Sequence, residues 1–185
     1  MKKFLLKGCF FILPILFCAT VFAATPAALN VDFSKYENAK YNFRIYYPST
    51  WKVFEGFAGT AVAFCACSPP DGSTNQFNES SNVVIENLPA YPSLTLDKYV
   101  ESSLVYLAKI ITDYKLISIE PRIIADKPAK IHVFTGRQGV FLLKYTQAVI
   151  LYNNKAYVVT FAVEKSKHKN YEEIATKIIN SMLIR

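Results

Sequence analysis

Glycine is scarce in this chain, 6 residues of 185, and none of it forms a loop that could cradle a phosphate. No serine stands in a Gly-x-Ser-x-Gly elbow. The carboxylates are scattered, so no general acid–base pair stands out. There are only 2 histidines. His132 falls in a strand-like run and His168 in a basic connector, and neither has metal-ligand spacing to a cysteine. No metal and no cofactor are therefore expected. Of the 4 cysteines, Cys9 and Cys18 lie in an apolar N-terminal run, leaving Cys65 and Cys67 for the rest. Charge of one sign is also in modest supply: 21 Lys plus Arg against 14 Asp plus Glu, without the clustered basic face that nucleic acid requires. No internal repeat or low-complexity block is present.

What is there begins with a basic start, Met1 to Lys7, and an apolar run from Gly8 to Phe22. Val21 and Ala23 are small residues at the positions a signal peptidase inspects. Residues 1–23 therefore read as a secretory signal peptide cleaved after Ala23. An uncleaved anchor is the alternative, but the run is short for a membrane span and carries Pro14. Cys18 follows the large Phe17 and reads as apolar filler, not a lipid attachment site. Cleavage would lower the cations to 18 against 14 acids, a net charge of +4. The expected address is the periplasm or the medium, with membrane contact at most peripheral.

The stretch Val140 to Glu164 organises the remainder. Two β-rich runs flank Asn153-Asn154, a pair that tolerates positive φ and suits a two-residue hairpin. Centring the turn there places Tyr152 opposite Lys155, Ile150 opposite Tyr157, Gln147 opposite Thr160 and Tyr145 opposite Ala162. Both faces of the pair are largely apolar, which implies cover on both sides. Gln147 and Thr160 are the polar exception, explained by a mutual hydrogen bond.

Around this hairpin, residues 24–40 read as a tether, and Tyr41–Tyr47, Trp51–Phe54, Thr60–Cys67 and Asn82–Leu88 as strands. Lys115–Ile119 and Ile123–Ile124 look extended, with Pro121 between them. Ala129–Thr135 alternates, and Gly136-Arg137-Gln138-Gly139 reads as a turn. Thr95 is a suitable N-cap for a helix whose stripe is Leu96, Val100, Leu104, Leu107 and Ile111. A second helix has Asn170 and Glu173 at capping-box spacing and Ile174, Ile178, Ile179 and Met182 on its apolar side. Strands joined by hairpins, with two helices, indicate an α+β fold with a mainly antiparallel sheet and a helix on each face.

Five stretches, in order, resemble PsbP-like and DcrB-like domains: YNFRIYYPSTWKV, SPPDGSTNQFNESSNVVIENLP, SLTLDKYVESSL, KYTQAVILYNNKAYVVTFAVEK and YEEIATKIINSML. The resemblance spans Tyr41 to Leu183 and makes 41–185 a single domain. It implies an α/β/α sandwich. Such domains include extrinsic subunits of the oxygen-evolving complex, bacterial envelope proteins and a nuclear Ran-GTPase-binding protein, and most bind a partner. The resemblance carries no shared functional residue set.

Two features remain as candidate sites. Cys65 and Cys67 point to one face of a strand. A bridge between them would need a bend, which the Ser68-Pro69-Pro70 exit could allow. Strain opposes it, so two thiols are expected, with a disulfide as the alternative. The long loop from Ser68 to Ser81, with Asp71, Asn75, Gln76, Phe77 and Asn78, is a candidate contact surface. So is the basic connector of Lys165, Lys167, His168 and Lys169, whose plain explanation is a solvated turn. The expectation is an exported, non-catalytic module that binds or stabilises a protein partner in the envelope. The alternatives are an enzyme built from dispersed polar residues and a secreted host-directed effector.

Overall fold

Asn153 and Asn154 both have positive φ, 47° and 55°, as a primed two-residue turn requires. The flanking strands pair from Tyr152↔Lys155 down to Leu143↔Glu164, and the four partners read from the sequence hold. This computed structural model describes residues 31–55, 60–70, 72, 77–88 and 94–185. Its strands are β1 (Phe33–Asn38), β2 (Phe43–Pro48), β3 (Lys52–Phe54), β4 (Val62–Cys67), β5 (Ser80–Asn87), β6 (Thr112–Ile124), β7 (Lys127–Gln138), β8 (Phe141–Tyr152), β9 (Lys155–Glu164) and β10 (Leu183–Ile184). The helices are α1 (Leu96–Ile110), between β5 and β6, and α2 (His168–Asn180), between β9 and β10.

A seven-stranded sheet has the order β3-β4-β5-β9-β8-β7-β6, and a second sheet the order β1-β2-β10. Every pairing is antiparallel. The central hairpin is buried because alternate side chains along it enter different clusters. Ala148, Ile150, Val159 and Phe161 pack with Ile174, Ala175, Ile178 and Ile179 of α2 and with Phe43 and Ile45 of β2. Their neighbours Val149, Ala156 and Val158 pack with Tyr99 and Val100 of α1. Each large side chain fully buried this way contributes about 1.5–3 kcal/mol. Trp51 stacks on Phe161 at 6.0 Å within the first cluster.

The elements depart from the sequence reading in five places. Part of the expected tether is β1, which pairs with β2 from Phe33↔Pro48 to Asn38↔Phe43; residues 24–30 lie outside the described residues. Pro121 does not divide β6, because β6 lies at the sheet edge, where a missing N–H is tolerated. Gly136, Arg137 and Gln138 continue β7, and the reversal comes at Gly139-Val140, with Gln138↔Phe141 closing it. Gly136 serves a close approach instead: a Cβ there would collide with Ile111 Cγ2 at the end of α1.

The fourth departure is at the start of α2, which begins at His168 with Lys167 as an N-cap lacking a side-chain hydrogen bond. Asn170 is therefore inside the first turn. The Lys167 N–H donates to Glu164 O at 2.9 Å, which starts the helical winding before Asn170. The fifth is β10, unread in the sequence. Thr95 caps α1 as expected, accepting from the Lys98 N–H at 3.3 Å.

Candidate functional site

The loop and the connector, far apart in sequence, meet at one end of the molecule. Phe77, expected to be a contact residue, is buried, packed with Leu107, Ile111, Leu143 and Tyr145. Its N–H donates to Glu164 Oε1 at 3.4 Å. Glu79, also buried, accepts from Ser68 Oγ at 2.9 Å, while the Ser68 N–H donates to Glu79 O at 2.8 Å. Lys167 Nζ lies 3.5 Å from Glu164 Oε1 and 3.9 Å from Glu79 Oε1. Lys167 thus fastens the loop base to the connector and is not a freely solvated cation. Lys165 and Lys169 are exposed. Asn78 is half-buried, and Asp71, Asn75 and Gln76 lie outside the described residues.

From the connector a groove of about 890 Å³ opens between α2 and the β6–β7 hairpin, a size in the range of ligand sites. Its floor mixes apolar Ile131, Val133, Phe161 and Val163 with Thr146 and Lys144 of β8. Ser118, Glu120 and Arg122 of β6 form one wall, and His168, Tyr171 and Glu172 of α2 the other. Arg122 Nη2 is 3.2 Å from Glu120 Oε2. Arg44 also lines the groove; its guanidinium stands 5.6 Å from the Tyr46 ring, and its Nε is buried without a hydrogen-bond partner. The sequence signal for this groove was the polar alternation Ser118, Glu120, Arg122. It acquires meaning only when β7 places Val133, Ile131 and Ala129 beside those residues.

The thiols sit on β4, opposite β3 and β5. Cys65 Sγ and Cys67 Sγ are 3.8 Å apart, hydrogen-bonded and unbridged. Cys65 is buried and Cys67 half-buried. The hydrogen bond to Cys67, reinforced by burial, holds the Cys65 thiol well above the usual thiol range. The same hydrogen bond pulls Cys67 below it, against the effect of its own burial. We take Cys65 as the donor, since the more buried sulfur keeps its proton.

Sequence reasoning also missed a buried polar cluster beneath α1. His132 is fully buried, and both ring nitrogens lack a hydrogen-bond partner. It stacks on Phe134 at 5.7 Å, and Phe134 stacks on Tyr145 at 4.8 Å. Gln147, opposite His132 on β8, donates from Nε2 to Thr160 Oγ1 at 2.7 Å, the bond expected from the sequence. Burial pushes the His132 imidazole down to about 4, and nearby Gln147 offsets only part of this. Burial likewise raises the Tyr145 and Tyr114 phenols, whose hydroxyls are also unpartnered. Among the described residues, no three His, Cys, Asp or Glu side chains converge as a metal-ligand set.

No protein-family model matches this sequence, and no curated protein matches it. Solved structures do. Cyanobacterial PsbP (CyanoP) from Synechocystis sp. PCC 6803 superposes with a TM-score of 0.64 at 12% identity, over 88% of this chain and 98% of that one. LpqN of Mycobacterium tuberculosis, involved in cell envelope biogenesis, has a TM-score of 0.57 at 7% identity, over 84% and 91%. The Ran-binding protein Mog1p of Saccharomyces cerevisiae has a TM-score of 0.56 at 10% identity, over 84% and 96%. The fold is the PsbP-like one, a mostly antiparallel sheet with two helices.

Proposed function

We propose that the chain is an exported module that binds a protein partner of the envelope through the end where the 68–81 loop meets the 165–169 connector. The observation that carries this reading is the fastening of the two segments by Glu164, Glu79 and Lys167, which fixes one composite surface while leaving Lys165 and Lys169 exposed. In this reading residues 1–23 are removed, and residues 41–185 fold as one α/β/α sandwich, α1 on one face of the sheet and α2 on the other. Alternate residues of β8 and β9 packing against different helices support the sandwich. The shared fold of a Ran-binding protein and an envelope-biogenesis protein supports a binding role.

The polar walls of the groove favour a second reading, a small-molecule or enzymatic site beside α2. The hydrogen bonds of Arg122 and Ser181 do not make a nucleophile–base pair: Arg122 is held by Glu120, and Ser181 Oγ donates to Ile178 O at 2.6 Å. In-cell crosslinking with mass spectrometry tests the first reading. Deleting residues 71–76 together with Lys165→Glu and Lys169→Glu should abolish the crosslinked partner while the far-ultraviolet circular dichroism is unchanged. Undiminished recovery of that partner would sink the proposal.

A further inference from the structure

We propose that Cys65 and Cys67 form a two-coordinate site for a soft monovalent cation of the Cu(I) or Ag(I) type. The register of β4 puts both side chains on one face, and their sulfurs stand 3.8 Å apart. With the zinc–thiolate distance of about 2.3 Å as a guide, two metal–sulfur bonds span roughly 4.6 Å when collinear. The sulfurs need to separate by less than about 1 Å to admit the ion, whereas a disulfide needs them to close to about 2.05 Å.

The donor set selects the metal class. Thiolates favour soft ions. Structural zinc wants four ligands, and among the described residues no third Cys, His, Asp or Glu joins the pair. The absence of metal-ligand spacing in the sequence speaks against sites of three or four ligands and leaves this two-ligand geometry open.

The surroundings suit such an ion. Half-buried Cys67 offers the entry point. Cys65 is packed among Val62, Val84, Tyr99 and Val100, which shields the second bond from water. Two protons leave, two sulfur–metal bonds form, and no electron is transferred. The product carries one negative charge. Lys52 pairs with Cys67 on β3, and its Nζ lies 5.2 Å from the Phe54 ring, so a cation stands on the neighbouring strand to balance it.

The experiment uses the full chain with Cys9→Ser and Cys18→Ser, so that the pair supplies every thiol. Ag(I) is titrated in a competition with a thiol chelator and followed by native mass spectrometry, the sulfur-to-metal ultraviolet band and iodoacetamide protection. Cu(I) under anaerobic conditions is the second probe. One ion per chain is expected, with both thiols protected. Cys65→Ser or Cys67→Ser should each weaken retention by at least about 100-fold, the upper end of what losing a mere supporting residue does. Far-ultraviolet circular dichroism of each variant guards against unfolding. Retention unchanged in either single variant, no retention at all, or equally tight Zn(II) would overturn the site. So would the two cysteines emerging as a disulfide when the chain is isolated and alkylated without reductant.

Discussion

His132 illustrates how a single side chain ties stability to pH. Its imidazole is fully buried, and burial lowers its pKa from 6.5 to about 4. The unfolded chain therefore binds the proton more readily. The contribution of His132 is intact above pH 6.5 and is lost as pH falls towards 4, amounting to about 3 kcal/mol in full. Urea unfolding at pH 7 and pH 4.5 should show this slope, and His132→Gln should flatten it relative to wild type. An identical slope in the variant would remove His132 as the cause. Glu86 works in the opposite direction. Burial raises its carboxyl, partly offset by the hydrogen bond that Tyr99 Oη donates at 2.8 Å. Its contribution is present below its unfolded pKa of 4.5 and is lost as pH rises through the raised one. Neither environment was visible in the sequence, where His132 was one polar residue in an alternating run.

The central hairpin and α1 were the most legible elements, because their determinants are local. Asn153-Asn154 specify a turn, Thr95 a cap, and the three-to-four spacing of Val100, Leu107 and Ile111 a buried stripe, with Leu104 half-buried beside it. Gly136 was misread because glycine marks turns and close approaches alike, and only the position of Ile111 distinguishes them. Gly136→Ala should cost about 1–3 kcal/mol through overpacking against the end of α1, measurable as a lower chemical-denaturation midpoint. Combined with Ile111→Ala, which removes the Cγ2 that the new Cβ meets, the substitution should cost less than it does alone. Failure of that rescue would show that the strain lies elsewhere.

The three-stranded sheet joins the two ends of the described chain to the main sheet. β10 pairs with β2 through Leu183↔Arg44 and Ile184↔Phe43. Ser181 Oγ accepts from the Tyr46 N–H at 2.9 Å, and Tyr157 Oη donates to Tyr41 O at 3.1 Å. Ile184 is buried in the same cluster as Phe43 and Ile178. Ile184→Ala should therefore destabilise the whole fold by about 2–4 kcal/mol, in one transition seen alike by tryptophan fluorescence and circular dichroism. Two separated transitions would mean that this sheet unfolds independently.

Residue order alone was enough for the antiparallel hairpin, its register, the N-cap of α1 and the apolar sides of both helices, since each depends on contacts within a few residues or across one tight turn. Packing at long range settled the rest: Phe77 as an anchor, β10 beside β2, the groove beside α2, and the two sulfurs turned towards each other. An alternating pattern tells a strand which side to bury, but it does not say which strand will lie next to it.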